Sequence, residues 1–197
     1  MFFMKKEDLE RIYKAKGMAR GTVFQIDTQY IISKWGRAGL EKIKKKAKEW
    51  GYDIPYEGVD TMGWYPLGLR VISLLLIKEV FNLSDAKIRE MGTVAPRFSF
   101  IFKFIFKLIT PIKKFAEGVP RYWDEHYTAG KLEVKKLDEN KKILVAHLKG
   151  IKIDPVFCVY LEGYFEGVCR FLFPTSTCKE TKCMFNDEEV HEYTLTW

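Results

Sequence analysis

The sequence predicts an α+β domain in which N-terminal helices pack on an antiparallel sheet made from two C-terminal hairpins separated by a helix. Two observations support this fold class. Apolar residues recur at helical spacing through most of the region before Gly130. After Gly130 they alternate with polar residues in two segments, each divided by turn-forming residues. The 197 residues contain no repeat and no low-complexity linker, so we expect one domain over residues 1–197.

The first helices are predicted from apolar spacing and from glycines. Residues 4–17 predict a short helix that ends at Gly17. Residues 22–27 alternate briefly and predict a strand or a lead-in to the next helix. Apolar residues over 28–50 recur mostly at intervals of three and four, with lysines on the other side, so a helix is expected there. Gly51 ends it.

A loop over residues 51–64 precedes two more predicted helices. Residues 67–81 are apolar nearly all round, which is typical of a deeply buried helix. A short helix over 85–91 is expected to be capped by Ser84 and ended by Gly92.

The Phe-rich segment over residues 98–109 predicts another helix. It is too short to cross a bilayer and carries two lysines on one face. We favour a core helix with one solvent-exposed stripe. An amphipathic helix that lies at a membrane interface remains an alternative. Pro111 begins a further helix that runs toward Tyr127, with Gly118 and Pro120 as expected interruptions.

The C-terminal third predicts the two hairpins. Apolar and charged residues alternate over 132–147 around a turn at 138–141. A helix is expected to begin at Pro155 and to end near Phe173. The second hairpin pairs residues 176–183 with residues 190–197, and the two hairpins can then join in one sheet.

The charge and the N-terminus bear on partners and location. The formal net charge is +7, and lysines cluster between Lys42 and Lys48. We interpret them as solvated helix faces and expect no nucleic-acid partner, because no nucleic-acid-binding signature accompanies them. Contact with an acidic membrane surface is an alternative that we do not expect. The N-terminus lacks the apolar core of a signal peptide, so a cytoplasmic protein with free thiols is expected.

Motifs for common enzymes are absent. The sequence has no glycine-rich dinucleotide turn, no phosphate-binding loop, and neither a serine-hydrolase nor a zinc-protease signature. A non-enzymatic protein is therefore expected.

Possible metal ligands occur near the C-terminus. Cys178, Cys183 and His191 lie on the two strands of the last predicted hairpin, and Cys158 and Cys169 lie on the preceding helix. Zinc needs three or four converging sulfur or nitrogen donors, but the usual close cysteine pair is missing. Zinc at the three hairpin residues is one hypothesis, and we favour buried structural thiols.

Haem is not supported by any local motif. His126 or Cys158 could in principle provide an axial ligand, but nothing in the sequence accompanies them to hold the propionates.

Several segments together resemble a known group of domains. The C-terminal ones are similar to the end of vinyl-reductase-like domains, and they are Gly150-x-x-x-x-Pro155, Tyr160–Gly167, Thr177–Cys183 and His191–Trp197. The upstream ones resemble bacterial relatives of haem-NO-binding proteins, and they are Tyr65-Pro66, Met91-Gly92 and Trp123-x-x-x-Tyr127-x-x-Gly130. The resemblance covers about residues 60–197 as a core, with residues 1–59 as a helical N-terminal region.

This resemblance implies a ligand-binding superfamily that also includes subunits of the TRAPP vesicle-tethering complex. Its members share an α+β fold, often form dimers, and in several cases hold hydrophobic or tetrapyrrole-related ligands between helices and sheet. Cys183 and His191 are the nearest counterparts of a cysteine pair in vinyl-reductase-like domains. The Tyr-x-Ser-x-Arg motif of haem-NO sensors is absent.

We therefore predict a non-enzymatic sensory module that binds an apolar or flat small molecule and forms a homodimer. Aromatic side chains fill cores, but they also line such pockets. The expected ligand-binding residues are Phe102, Phe106, Trp123, Tyr127, Leu161, Tyr164 and Phe165. The alternatives are a scaffolding protein of the tethering-subunit type and, suggested only by the family name, a reductase-like enzyme.

Overall fold

The computed structural model describes residues 4–98 and 111–197. The α-helices are α1 (Lys6–Tyr13), α2 (Thr22–Glu49), α3 (Leu67–Val80), α4 (Asp85–Val94), α5 (Ile112–His126) and α6 (Pro155–Cys169). The strands are β1 (Met18–Arg20), β2 (Trp64–Pro66), β3 (Lys131–Asp138), β4 (Ile143–Lys149), β5 (Thr177–Lys182) and β6 (His191–Thr196). The predicted α+β class is confirmed.

The C-terminal hairpins join in one antiparallel sheet, as predicted. Its strand order is β3-β4-β6-β5, so β4 and β6 form the centre. Ala146 of β4 pairs with Tyr193 of β6, and both are buried. Because successive side chains of a strand point to opposite faces, alternate residues of β4 and β6 form one buried face toward α6 and α5.

Residues 22–27 were expected to form a strand or a lead-in to the next helix, and the strand is not found. These residues open α2, and the preceding residues 18–20 form β1, which pairs with β2. Val23, Phe24 and Ile26 are all buried on α2. A helix that packs against neighbours on two sides buries residues at such spacing, which explains why the segment resembles a strand. A bend in α2 occurs at Gly36, where φ is 66° and ψ is −171°.

Helix α4 continues past its predicted end. It runs through Gly92 to Val94, and the Ser84 side chain makes no capping hydrogen bond to it. A Cβ atom at Gly92 would lie 2.2 Å from the carbonyl oxygen of Tyr160 in α6. Gly92 therefore permits close packing of α4 against α6 and does not end the helix.

Helix α5 is continuous, although interruptions were expected at Gly118 and Pro120. It buries Ala116, Trp123 and His126 on one side. This packing holds the helix together where Pro120 lacks a backbone N–H. The predicted Phe-rich helix over 98–109 lies outside the described residues, apart from Phe98 at its start.

The core lies between the helices and the buried face of the sheet. Helix α3 is its centre, because every residue from Leu67 to Ile77 is buried. Within the described ranges, none of the helices combines the length and apolar content needed to cross a lipid bilayer.

Candidate functional site: an aromatic cavity and a thiol–imidazole cluster

A cavity of about 360 Å³ lies between α5, α6 and the buried face of the sheet, with the start of α2 at one side. The sheet contributes apolar side chains, namely Leu132, Leu144, Ala146 and Leu195. Helices α5 and α6 contribute most of the aromatic rings. Small-molecule pockets in proteins have volumes of roughly 300–1,000 Å³ and mainly apolar walls, so this cavity is suited to a ligand.

The structure brings the described candidate ligand-binding residues together. Trp123, Tyr127, Leu161, Tyr164 and Phe165 all line this cavity. Phe102 and Phe106 lie outside the described residues. That any of these side chains contacts a ligand stays a prediction.

Trp123 and Tyr127 form a fixed aromatic wall. Their ring centroids are 4.5 Å apart and the rings are stacked. The indole Nε1–H of Trp123 donates to the carbonyl oxygen of Ala129 at 3.0 Å. A satisfied donor and a ring contact both hold the indole in one orientation, so this wall is preorganised.

Two tyrosine hydroxyls place polar atoms in this apolar wall. The Oη atoms of Tyr122 and Tyr164 are 2.7 Å apart. Burial raises the pKa of both hydroxyls, so both are neutral at physiological pH. Neutral hydroxyls can donate and accept hydrogen bonds, and they could orient one polar atom of a ligand.

His126 adds a neutral imidazole to the lining. Its Nδ1 lies 2.9 Å from the carbonyl oxygen of Tyr122. A carbonyl oxygen only accepts hydrogen bonds, so Nδ1 carries the proton and Nε2 has the lone pair. Burial lowers the pKa of His126, which favours this neutral form.

A buried ion pair adjoins the cavity, and the sequence reasoning missed it. Asp27 and Arg70 are both fully buried and form a hydrogen-bonded salt bridge. Ser73 Oγ donates to Asp27 Oδ2 at 2.7 Å, and the Arg70 guanidinium lies 4.5 Å from the ring centroid of Tyr160, a cavity residue. Burial raises the pKa of Asp27, against the opposing effects of Arg70 and Ser73.

A sequence signal for this pair exists. Arg70 is the one charged residue between Leu67 and Ile77 in the helix that was predicted to be deeply buried. A buried arginine requires an anionic partner, so α3 implied a carboxylate elsewhere in the core. Periodicity could not identify Asp27 as that partner.

The second candidate site is a cluster at the C-terminal hairpin. The possible ligand atoms of Cys158, Glu180, Cys183 and His191 all lie within 4.8 Å of one another. Cys183 and His191 were candidate metal ligands from the sequence. The structure brings these two together and adds Cys158 of α6 and Glu180 of β5.

Cys178 lies outside this cluster. Its backbone N–H donates to Glu166 Oε2 at 3.1 Å, and its carbonyl oxygen accepts from Arg89. Along a strand, side chains two residues apart share a face, so Cys178 and Glu180 lie on the same side of β5 but at different points along it. Of the two residues, Glu180 is the one whose side chain lies beside Cys158 and His191.

Known proteins resemble this chain in structure but not detectably in sequence. No family model matches the chain, and no curated protein matches it. Solved structures do match it. An H-NOX protein from S. oneidensis in the Fe(II)NO ligation state has a TM-score of 0.67 at 11% identity, covering 89% of this chain and 97% of that chain.

Two further solved H-NOX structures also match this chain. Unliganded Fe(II) H-NOX from K. algicida has a TM-score of 0.60 at 15% identity, covering 90% of this chain and 95% of that one. An oxygen-binding H-NOX domain related to soluble guanylate cyclases has a TM-score of 0.64 at 10% identity, covering 90% and 94%. At such identities the likeness establishes the fold, so this chain has a haem-NO-binding-like fold, as the resemblance predicted.

The expectation that haem is not supported is contradicted by these neighbours. Structures with this fold include one concerned with haem redox potential and porphyrin distortion, at a TM-score of 0.64. The expectation rested on a missing local motif. A haem site is assembled from residues on several elements, so the absence of one motif does not exclude haem.

Proposed function

We propose that this protein is a non-enzymatic sensory module that holds an apolar, flat small molecule in the cavity between α5, α6 and the sheet. The observation that carries the proposal is the cavity itself, about 360 Å³ in volume and walled by aromatic and aliphatic side chains. The shared fold supports it, because the matching solved structures described above are H-NOX domains. For the same reason the scaffolding alternative is not favoured.

The chemistry of the lining supports a particular shape of ligand. Stacked rings at Trp123 and Tyr127 suit a planar molecule. Most of the remaining surface is apolar, so burial of apolar ligand surface would supply most of the binding free energy. The hydroxyls of Tyr122 and Tyr164 and the imidazole of His126 are the polar groups that would orient it.

Haem is the first ligand to test, because the donor set suits it. His126 has the proton on Nδ1, which leaves Nε2 as the nitrogen that could hold the iron. Lys114 and Arg121 line the cavity and are exposed, so they could hold propionates. When bound, haem would supply an iron atom with an open position for a diatomic gas.

The test is a titration of the full-length protein with hemin, followed by absorption spectroscopy, together with native mass spectrometry of the freshly purified protein. We expect a stoichiometric complex with hemin or a co-purifying mass that is lost on denaturation. Val119→Trp places a large ring at the cavity lining and should abolish binding. Glu117→Trp is the matched control, because Glu117 is exposed on the same helix and does not line the cavity.

The outcomes separate haem from other ligands. Hemin binding that is lost in Val119→Trp, with an altered spectrum in His126→Ala, supports haem. A different co-purifying mass that is lost in Val119→Trp supports another flat ligand. Equal binding by Val119→Trp and Glu117→Trp, or no ligand by either method, would overturn the proposal.

The predicted homodimer is tested by the same native mass spectra. The chain mass is 23.2 kDa, and a dimer would appear at twice this value.

A further inference from the structure

We propose that the ligand of the aromatic cavity is an organic acid, and that its carboxylate binds at the buried end of the cavity, beside Tyr127 and Tyr160 and in front of Arg70. This inference rests on the function proposed above and adds the chemical class of the ligand. It concerns the inner end of the cavity, whereas the lining residues Lys114 and Arg121 are exposed at its rim.

Arg70 has hydrogen-bond donors that the chain does not use. Its side chain is fully buried, and Nη1 donates to Asp27 Oδ2. Nε and Nη2 have no hydrogen-bond partner within the part of the chain that the structure describes. A buried donor without an acceptor costs free energy, so an acceptor on this side of the guanidinium would stabilise the protein. Asp27 therefore satisfies only part of the binding capacity of Arg70.

Two tyrosines connect Arg70 with the cavity. The central carbon of the guanidinium lies 4.5 Å from the ring centroid of Tyr160. Tyr127 and Tyr160 are both buried, and both line the cavity. Burial raises the pKa of the two hydroxyls, and the nearby positive charge of Arg70 opposes that rise. Arg70 therefore makes these hydroxyls better hydrogen-bond donors than burial alone would allow.

A carboxylate in the cavity would satisfy all of these groups at once. Each tyrosine hydroxyl has one proton to donate and can also accept through its oxygen. When the two hydroxyls donate to the carboxylate, their oxygens can accept from Nε–H and Nη2–H of Arg70. Hydrogen bonds in such a chain strengthen one another, and the guanidinium charge favours an anion at the other end. Tyr127 and Tyr160 would then contact the ligand, and Arg70 would act through them as a positioning residue.

The location of the positive charge decides where an acid can bind. Among the described residues, Arg70 is the only lysine or arginine that is buried. The sheet contributes aliphatic side chains to the cavity wall, and a carboxylate against them would lose its hydration without gaining a partner. A flat acid would therefore place its rings against Trp123 and its carboxylate at Tyr127 and Tyr160.

Ordered water is the alternative occupant of this end of the cavity. A water molecule can accept from Arg70 and donate to Asp27 Oδ1, which also has no partner among the described residues. Water that fills this role would give the cavity no preference for an acid over the corresponding amide. The quantity to measure is therefore the ratio of the affinities for an acid and its amide.

The test compares 2-naphthoate with 2-naphthamide, two flat probes of similar shape of which only the first is charged. Isothermal titration calorimetry of the full-length protein at pH 7 gives both dissociation constants. We expect the acid to bind at least about tenfold more tightly, as charged hydrogen bonds imply. Tyr127→Phe and Tyr160→Phe should each reduce this ratio by at least about threefold. Tyr164→Phe removes a different cavity hydroxyl, the one paired with Tyr122, and should leave the ratio unchanged.

A second control removes the cations at the rim. Lys114→Gln/Arg121→Gln should leave the ratio unchanged, because the acid binds at the other end of the cavity. None of these variants changes Arg70, so the test does not depend on a protein that has lost its buried ion pair. A ratio that falls in the rim variant but not in the tyrosine variants would overturn the inference.

The remaining outcomes separate this inference from the function on which it rests. Equal binding of acid and amide, with both excluded by Val119→Trp, would overturn the inference and leave the proposed function standing. Binding of neither probe would overturn the inference, and the absence of any bound mass in the native spectra would then overturn the proposed function as well.

Discussion

The hydroxyl oxygens of Tyr122 and Tyr164 lie 2.7 Å apart, so a hydrogen bond joins α5 to α6 at the wall of the cavity. The two residues are 42 positions apart in the chain. This contact connects the helix that carries His126 with the helix that carries Cys158. The cavity and the thiol–imidazole cluster therefore share α6 as a common wall.

The Tyr122–Tyr164 hydrogen bond can be measured by a double-mutant cycle. Tyr122→Phe and Tyr164→Phe should each lower the free energy of unfolding by about 1 kcal/mol, because each removes a partly buried hydrogen bond. The double variant should lose less free energy of unfolding than the sum of the two single losses, because either single change already eliminates the one hydrogen bond that the two hydroxyls share. Urea unfolding gives the three values. Strict additivity would show that the two hydroxyls do not interact.

The packing of α4 against α6 depends on glycine. A Cβ atom at Gly163 would lie 1.9 Å from the carbonyl oxygen of Arg89. Gly163→Ala should therefore lower the free energy of unfolding by about 2–3 kcal/mol, because backbone atoms must separate.

The control for Gly163 is Gly118, where an added Cβ meets nothing within 4 Å. Gly118→Ala in α5 should leave stability unchanged or raise it by up to about 1 kcal/mol, since alanine favours a helix more than glycine does. Thermal unfolding of both variants is the measurement. A similar loss in both would mean that α4 and α6 are not in close contact.

Glu166 should control stability at acid pH. It is buried and accepts from Arg89 at 2.6 Å, from Arg170 at 2.9 Å and from the Cys178 N–H at 3.1 Å. Burial acts to raise its pKa, but these partners outweigh burial and lower the pKa below the ordinary value of 4.5. The unfolded chain therefore takes up a proton first as the pH falls below 4.5, and the folded state loses stability until Glu166 itself is protonated.

Glu166→Gln should remove this acid dependence and cost about 2 kcal/mol at pH 7, because buried charged hydrogen bonds are lost. Denaturant unfolding between pH 7 and pH 3 measures both effects. Glu57→Gln is the control, since Glu57 pairs with Lys44 at 2.6 Å but is exposed to solvent. Its effect should be small and should vanish at high salt. If the free energy of unfolding of Glu166→Gln falls between pH 7 and pH 3 as steeply as that of the wild-type protein, Glu166 does not control stability at acid pH.

The buried pair Asp27–Arg70 should be strongly coupled. Asp27→Asn or Arg70→Met alone should lower the free energy of unfolding by about 3–5 kcal/mol, because either change leaves a buried polar group without its partner. The double variant should cost at least about 1 kcal/mol less than the sum of the single changes. Urea unfolding measures the cycle, and additive costs would mean that the two residues do not interact.

Much of the fold follows from spacing along the chain. Alternation over residues 132–147 and at the C-terminus predicts both hairpins, and unbroken apolarity over 67–81 predicts the buried α3. These signals are local, since each depends only on which residues repeat within one element. The segment 22–27 shows the limit of that reasoning. Its short alternation matches a strand, but tertiary packing on two sides makes it a helix.

Glycine and proline were interpreted as local stops where packing decides otherwise. Gly92 lies inside α4, where its missing side chain lets the backbone of α6 come close, and no feature within α4 reveals that neighbour. Pro120 lies inside α5 because the helix buries Trp123 and His126 on one side. In both cases the interacting element is distant in sequence.

The sequence by itself determined the α+β class, the two hairpins, and the residues Trp123, Tyr127, Leu161, Tyr164 and Phe165, four aromatic and one aliphatic, as candidates for one site. Only the tertiary structure decided that these side chains surround a cavity, that Asp27 is the partner of Arg70, and that Cys158 and Glu180 rather than Cys178 lie beside Cys183 and His191. The physical reason is that periodicity specifies which face of an element is buried. The partner that meets that face depends on how distant elements pack, and packing is a property of the whole chain.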